Sequence, residues 1–375
     1  MKMWVIRLWV LLLLGAAAAE LEGLGGINRS RDYSFSDDDV VKINEEELDG
    51  GFSTLDGMLQ WAIGNSNPEK LKETAKDVQC LSTSDLKERQ WKIKEALEQL
   101  KMPSDAQLMQ IAIADLNNSS LSLEEYHRAL QELLVLVEVI DNANDLNNLG
   151  GLAVVIRELN NSDQEIRLTA AWILGKASQN NPTVQKQILN FGALSKLMKM
   201  VRSSFVEEAT KALYAVSALI RNNVDGQKLF YADGGNLMLQ DIMRNSGMDI
   251  RLRRKSAFLV ADLAESQLEN TDEAEPIFFS NKLFLKSVVD LTTSSDLDLQ
   301  EKALMAIKSL LQLRSNEAGR HFKDFCDLDV VLERMRKQLQ QLMTVETHKD
   351  LAMDMESLRV EVEIVFRKKL EKVPA

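Results

Sequence analysis

The chain has 375 residues and a formal net charge of −12, from 45 Lys and Arg against 57 Asp and Glu, so it offers no general attraction for the phosphates of a nucleic acid. Five prolines, 17 glycines and 6% aromatic residues, beside long runs of helix-forming residues, argue against sandwich, barrel and collagen-like chains and predict an all-α protein. Its two cysteines, Cys80 and Cys326, exclude a disulfide framework and leave open whether they pair.

Residues 1–19 have the pattern of a secretory signal peptide. Lys2 and Arg7 carry positive charge, an apolar run follows over residues 8–14, and small residues end the segment at Ala17–Ala19. The stretch is short for a bilayer span of about 20 residues, and no second run of that length follows. We therefore expect cleavage, no membrane insertion afterwards, and residence in the endoplasmic reticulum lumen, with secretion left open. An uncleaved anchor is the alternative.

Four Asn-x-Ser sequons fit that compartment and are glycosylation candidates, although each is weak alone because such tripeptides occur by chance. They begin at Asn28, Asn117, Asn118 and Asn160. Residues 371–375 do not form a KDEL-type retention signal, so retention would depend on binding a resident protein.

The remaining chain divides into four segments. Residues 20–50 combine many acidic side chains with few apolar ones and predict a flexible acidic arm. Apolar residues at helical spacing over residues 51–119 predict an N-terminal helical cap. We assign residues 120–335 to armadillo-like repeats and residues 336–375 to a C-terminal helical cap. A coiled-coil dimerisation element is less favoured, because no heptad register continues past Thr344.

A repeat period near 40 residues carries the fold prediction. Helical segments recur around alanines that stand 42, 41, 45 and 46 residues apart, which is typical of armadillo and HEAT repeats: Ala129, Ala171, Ala212, Ala257 and Ala303. A small residue at that position allows neighbouring helices to approach closely. The sequence therefore predicts an armadillo/HEAT-like right-handed helical solenoid with helical caps at both ends.

A glycine follows the repeat alanine by about twenty residues in three repeats, at Gly150, Gly192 and Gly234. In the fourth and fifth repeats the corresponding positions are Asn281 and Asp327. We expect these residues to form the reversal between the last helix of one repeat and the first helix of the next.

Catalytic chemistry is scarce. His321 and Cys326 are the nearest approach to a nucleophile and its base, and no orienting carboxylate stands at a recognisable spacing. The pair Gly175-Lys176 lacks both the glycine-rich loop and the following Ser or Thr of a phosphate-binding loop. We predict a protein that is not an enzyme, uses no cofactor or metal, and acts by binding another protein.

In such solenoids the last helix of each repeat lines an extended concave surface. Armadillo proteins that hold extended peptides, such as nuclear-import adaptors, repeat a Trp-x-x-x-Asn motif on those helices. Here the residue four positions after Trp172 is Lys176 instead of Asn, and the matching helices have Tyr214 and Phe258 in place of the Trp. The absence of the motif argues against peptide-cargo binding.

Three stretches, residues 58–66, 139–146 and 177–194, resemble the armadillo-type nucleotide-exchange factors of the seventy-kilodalton heat-shock chaperones, of the Fes, heat-shock-protein-binding and Sil types. The resemblance covers residues 52–335. It implies that the concave face binds one lobe of the chaperone's ATPase domain. This contact weakens the binding of ADP, so that ATP can replace it. With a signal peptide, the implied partner is the lumenal chaperone BiP, bound by a monomer in a 1:1 complex.

The resemblance also suggests two finer hypotheses. In this family a flexible N-terminal segment can compete for the chaperone's substrate groove, and the acidic arm is a weak candidate because it has few apolar residues. We further predict partner contacts at the inner helices and their ends: Asp141, Asn142, Asp145, Arg167, Trp172, Gln179, Asn180, Lys211, Tyr214, Arg221, Arg254, Lys255 and Lys302.

Structural roles are the alternative for several of these residues. Asp141 and Asn142 could end a helix, Trp172 could be buried between repeats, and Arg167, Lys211 and Lys302 could be ordinary solvated side chains. At the level of function, the alternative is a secreted or lumenal armadillo scaffold that binds another protein partner.

Overall fold

The computed structural model describes Trp91 and residues 103–270, 272 and 274–371. Every regular element in these ranges is a helix, which confirms the all-α prediction. The predicted signal peptide, the acidic arm and most of the N-terminal cap lie outside the described residues. The chain divides into two units, residues 1–108 and residues 109–375, and the description below concerns the second.

A helix pair opens this unit: α1 (Asp105–Leu116), which crosses the division, and α2 (Leu123–Leu136). Three repeats of two short helices and one longer helix follow. They are α3 (Ile140–Asn148), α4 (Gly151–Glu158) and α5 (Gln164–Ser178); α6 (Pro182–Asn190), α7 (Ala193–Met200) and α8 (Val206–Ile220); and α9 (Val224–Ala232), α10 (Gly235–Arg244) and α11 (Ile250–Glu269).

Two further repeats complete the described chain. In the fourth, a 3-10 turn (Ile277–Ser280) takes the place of the first helix, before α12 (Lys282–Asp290) and α13 (Leu297–Gln312). The fifth consists of α14 (Glu317–Asp324), α15 (Leu328–Leu342) and α16 (Lys349–Glu371). None of the described helices is long and apolar enough to cross a bilayer.

The third helices form the spine of the stack. In chain order α2, α5, α8, α11, α13 and α16 each pack against the next. All five alanines of the sequence repeat lie on these helices and are at most 1% exposed. Gly175 brings α5 and α8 especially close, because a Cβ atom there would lie 2.6 Å from the Tyr214 ring and 3.1 Å from the Cα of Ala215. Small residues on the third helices, at the repeat alanines and at Gly175, therefore allow these helices to pack closely.

The repeat glycines lie elsewhere than expected. Gly150, Gly192 and Gly234, with φ of 78°, 66° and 80°, connect the first helix of a repeat to its second, and so does Asp327, with φ of 53°. The prediction that they link successive repeats is wrong. Asn281 keeps φ at −71° and caps α12 with its side chain.

The reversal between repeats uses asparagine. Asn180 follows α5 and Asn222 follows α8, and both have φ of 51°. Asparagine tolerates the left-handed region better than most residues with a Cβ atom. Each of these repeats thus needs two left-handed residues, a glycine between its first and second helices and an asparagine after its third helix. Only the glycine was recognised in the sequence.

The predicted start of the C-terminal cap at residue 336 also needs correction. It falls inside α15, where Leu332, Met335 and Leu339 follow one another on a single buried face. A single helix spans residue 336, so the boundary cannot lie there, although Leu332 and Met335 belong to the main core and Leu339 packs with Ala352 and Met355 of α16. The final helical unit begins at α14.

Candidate functional site

Three successive third helices present polar and aromatic side chains at positions that share a helix face. We call these nine residues the third-helix stripe: Trp172, Lys176 and Gln179 on α5; Lys211, Tyr214 and Arg221 on α8 and at its end; and Lys255, Phe258 and Asp262 on α11. Six of them were predicted from the sequence as partner contacts.

Trp172 organises the first half of the stripe. Its half-buried ring packs against the apolar core, and the ammonium nitrogen of Lys211 lies 3.4 Å from the ring centroid. Lys176 lies over the same ring at 5.4 Å and is also hydrogen-bonded to Glu138. Such cation–π contacts contribute roughly 0.5–2 kcal/mol, depending on desolvation. Trp172 is therefore both a core residue and a platform for two cations.

Tyr214 connects α8 to the end of α5. Its hydroxyl donates to the side-chain oxygen of Gln179 at 2.9 Å, and its ring occupies the space left by Gly175. Asn180 follows Gln179 directly and is exposed in the left-handed turn. The structure thus brings together Trp172, Gln179, Lys211 and Tyr214.

Phe258 organises the second half. The Arg221 guanidinium lies 5.8 Å and the Lys255 ammonium 5.5 Å from its ring centroid. Arg221 Nε is 3.5 Å from Oδ2 of Asp262, an oxygen that is buried and has no hydrogen-bond partner among the described residues. Burial lowers the pKa of Lys255 and raises the pKa of Asp262, each against the attraction of the opposite charge.

Other predicted contacts are engaged within the protein. Arg167 donates from Nε to Glu208 at 2.5 Å and from Nη1 to the Asn161 carbonyl at 2.8 Å. Arg254 donates to Asp296 at 2.9 Å and lies 3.2 Å from Asp298, which also contacts Lys302 at 3.4 Å. Arg167 and Arg254 thus link neighbouring third helices, and Lys302 shares the carboxylate of Asp298 with Arg254. All three cations therefore have a structural role within the protein.

Asp141, Asn142 and Asp145 lie on α3, a first helix, rather than on the third-helix stripe. Asn142 donates to the Leu136 carbonyl at 3.0 Å, across the turn between α2 and α3. Asp141 and Asp145 are exposed.

Three residues of the stripe were not predicted as contacts: Lys176, Phe258 and Asp262. In the sequence, Lys176 was considered only against a peptide-binding motif and a phosphate-binding loop, and Phe258 only against the peptide-binding motif. A stronger signal was available, since the charged pairs Arg167–Glu208 and Arg254–Asp296 are separated by 41 and 42 residues, close to the repeat period. Searching one period ahead for a complementary side chain indicates which charges are paired.

The remaining chemistry is sparse in the part of the chain that the structure describes. His321 Nδ1 lies 2.7 Å from the Ser280 carbonyl, and Cys326 is a buried free thiol whose pKa burial raises to about 11. No cluster of three or more His, Cys, Asp or Glu side chains there could hold a metal ion.

The fold defines the class of protein first. It is similar to a designed armadillo repeat protein in complex with the peptide (KR)4, with a TM-score of 0.54 and 16% identity over 69% of this chain and 99% of that one. A computationally designed armadillo repeat protein for modular peptide recognition gives a TM-score of 0.54 and 15% identity over the same shares of the two chains. The protein is thus an armadillo-type helical repeat protein.

Sequence comparison identifies the family. Residues 142–282 match the model of the SIL1/FES1/HPBP1 C-terminal domain, and residues 55–146 match that of the nucleotide exchange factor Fes1. The Hsp70 nucleotide exchange factor FES1 of Coccidioides immitis is 32% identical over 190 residues, which are 48% of this chain and 86% of that protein. The chain belongs to the SIL1/FES1/HPBP1 family, as its resemblance predicted, and the whole third-helix stripe lies within the first match.

Relatives of the SIL1 type are similar to the same degree. The nucleotide exchange factor SIL1 of Rattus norvegicus is 35% identical over 182 residues, covering 47% of this chain and 39% of that protein. The SIL1 of Xenopus laevis is 26% identical over 335 residues, covering 77% and 73%. The chain spans 52% of the FES1 of Mycosarcoma maydis.

Proposed function

We propose that this protein is a nucleotide-exchange factor that binds the ATPase domain of the lumenal seventy-kilodalton heat-shock chaperone BiP and promotes release of ADP. The observation that carries the proposal is the third-helix stripe, which runs over three adjacent helices inside the range that matches the family. The names of the relatives, Hsp70 nucleotide exchange factor and nucleotide exchange factor, support the same activity.

The charge of the stripe supports a protein partner with surface carboxylates. Four of its nine residues are cations, at Lys176, Lys211, Arg221 and Lys255, and only Asp262 is an anion, in a chain whose net charge is −12. The half-buried Trp172 and Phe258 are typical anchor residues of protein interfaces. An anchored, locally basic strip on an acidic protein favours one orientation of an acidic partner over others.

Exchange by this route is a linkage effect. Suppose that this protein binds the open arrangement of the ATPase domain better than the closed one. It then lowers the affinity of the domain for ADP, and ADP lowers the affinity of the domain for this protein by the same ratio. A coupling of ~1–3 kcal/mol corresponds to roughly 5- to 150-fold in affinity. Only differential binding is needed, so no side chain of this protein has to perform a chemical step.

The compartment and stoichiometry are part of the proposal. The signal-peptide pattern of residues 1–19 supports entry into the endoplasmic reticulum, where the factor would act as a monomer in a 1:1 complex and support protein folding. Asn117, Asn118 and Asn160 are exposed, so their side chains are accessible for glycosylation. The exposed residues Asp141, Asp145 and Asn180 remain proposed contacts.

The test is stopped-flow release of labelled ADP from BiP, with and without the purified mature chain. We expect at least a fivefold faster release with the wild-type chain, by the coupling argument above. The double variant Lys211→Glu with Arg221→Glu should lose this acceleration and keep its far-UV circular dichroism. Arg167 and Arg254 are less suitable for this purpose, because their carboxylate partners lie at 2.5 and 3.2 Å, closer than the 3.5 Å contact of Arg221 with Asp262.

Lys286→Glu is the matched control. Lys286 lies on α12, a second helix, and its ion pair with Asp290 is exposed. This variant should accelerate ADP release as well as the wild type. Full activity of the Lys211/Arg221 double variant, or equal loss with Lys286→Glu, would contradict the assignment of the stripe. No acceleration by the wild-type chain would contradict the function.

A further inference from the structure

The aromatic ring of Phe258 contacts two cationic groups. Lys255 and Phe258 are three positions apart on α11, and Arg221 reaches the same ring from the end of α8. Burial is the main cause of the lowered pKa of Lys255, and repulsion by Arg221 adds to it, while the attraction of Asp262 opposes both effects. A nearby anion is needed to make this arrangement favourable.

The protein itself supplies that anion incompletely. Asp262 contacts Arg221 Nε at 3.5 Å, and no hydrogen bond reaches its buried Oδ2 from the described residues. Within the same described part of the chain, Lys255 makes no direct ion pair and is attracted only at longer range by Asp262, whereas Arg167, Arg254 and Lys302 have carboxylate partners at 2.5–3.4 Å. A largely desolvated ammonium group without a paired carboxylate destabilises the folded protein.

We infer that Arg221, Lys255 and Phe258 form a receptor for one carboxylate side chain, an Asp or Glu on the surface of the chaperone's ATPase domain. The inference rests on the proposed function and identifies the chemical contact at its centre. The guanidinium and the ammonium group provide charge-assisted donors to the incoming carboxylate, and both contact the ring of Phe258. Asp262 holds Arg221 in place in the absence of the partner.

This arrangement implies opposite effects on stability and on binding. Replacing Lys255 by Met keeps the length and the apolar stem of the side chain and removes the desolvated charge. The folded protein should become more stable, while the complex loses one charged contact. Replacing a residue with a purely structural role would lower the stability of the folded protein. A rise in stability together with weaker binding therefore indicates a binding role for Lys255, and a fall in stability indicates a structural one.

The experiment compares Lys255→Met with the wild-type chain by calorimetric titration against the purified ATPase domain of BiP and by thermal unfolding. We expect at least tenfold weaker binding, a smaller salt dependence of the affinity, and an unfolding midpoint raised by about 2–4 °C. Lys308→Met is the matched control on the next third helix, since Lys308 pairs with Glu361 at 2.6 Å. It should leave the affinity unchanged and bring no stabilisation.

A second variant keeps the test decisive if Lys255→Met does not fold. Asp262→Asn removes the internal anion and should tighten binding of the ATPase domain two- to tenfold. Binding of Lys255→Met within twofold of the wild type, a lower midpoint together with weak binding, or tenfold weaker binding by a folded Asp262→Asn would each overturn the inference. A wild-type chain that does not bind the ATPase domain would instead refute the proposed function.

Discussion

Arg167 on α5 and Glu208 on α8 connect two third helices through an ion pair whose carboxylate is buried and whose guanidinium is partly exposed. Glu208 is 2% exposed and also accepts a hydrogen bond from the Ser203 hydroxyl at 2.6 Å. Burial alone would raise the pKa of Glu208, but the hydrogen bonds from Arg167 and Ser203 prevail and lower it. The carboxylate therefore remains charged inside the stack, and its stability depends on those donors.

Arg167→Ala should reduce the free energy of unfolding by about 3 kcal/mol or more, because a buried charge loses its partner. Arg251→Ala is the control, since Arg251 pairs with Glu207 at the surface at 2.7 Å and exposed pairs contribute less than about 1 kcal/mol. Urea unfolding of both variants measures the difference. Equal losses for the two variants would show that the Arg167–Glu208 pair has no special role.

The same pair predicts a pH dependence. A carboxyl group whose pKa is lowered by folding stabilises the folded state above its unfolded pKa of about 4.3, and this contribution is lost as the pH falls through the lowered value. The difference in unfolding free energy between wild type and Arg167→Ala should therefore be largest near neutral pH and shrink below about pH 4. Urea titrations at a series of pH values measure this, and a constant difference would contradict it.

At the level of helices and turns, the left-handed residues decide where each repeat bends. Gly234 has φ of 80° and open space where a Cβ atom would be, so only its backbone conformation is restrictive. Gly235 is different, because a Cβ atom there would lie 2.3 Å from the Phe230 ring. Neighbouring glycines thus serve backbone geometry and close packing respectively.

Gly234→Ala should reduce the unfolding free energy by about 1–2 kcal/mol through left-handed strain. Gly235→Ala should reduce it by about 1–3 kcal/mol through overpacking against Phe230. Gly247→Ala is the control in a surface turn without a positive φ, with a change within about 0.5 kcal/mol. Thermal or urea unfolding measures all three, and a neutral Gly234→Ala would show that the turn relaxes easily.

The sequence predicted the helices better than the connections between them. The repeat alanines indicated the third helices because a small residue recurs wherever two of them approach. The glycines were assigned to the turn between repeats, but Asn180 provides the left-handed residue at that turn. Its role could not be recognised in the sequence, because asparagine is also common in ordinary loops. The charge pairs were missed because they join residues about one repeat apart, such as Arg254 and Asp296, beyond the reach of helical periodicity within one element.

Across the whole described stack, each repeat contacts mainly its neighbours, so the last helix has to cover the one before it. In α16, Val362 and Phe366 are fully buried, and Met355 is 1% exposed. Removal of this helix would expose the apolar side chains that these three residues cover. The C-terminal segment therefore functions as part of the core and not as an appendage.

Truncation before Lys349 should reduce the unfolding free energy by at least about 3 kcal/mol, since each buried apolar side chain contributes roughly 1.5–3 kcal/mol. The truncated chain should also aggregate, because an uncapped repeat has an apolar face. Thermal unfolding and light scattering measure both effects, with truncation after Glu371 as the control. A soluble truncated chain with an unchanged midpoint would show that α16 is dispensable.

The position of Trp172 has an optical consequence. Its indole packs against the apolar core and is also in contact with the ammonium groups of Lys211 and Lys176. Indole fluorescence responds strongly to nearby charge and hydration, so a protein surface that draws Lys211 away or excludes water will change the emission spectrum. With Trp61 and Trp91 replaced by Phe, a chain that starts after residue 19 has Trp172 as its single tryptophan, and its emission would report docking of a protein partner without any attached label.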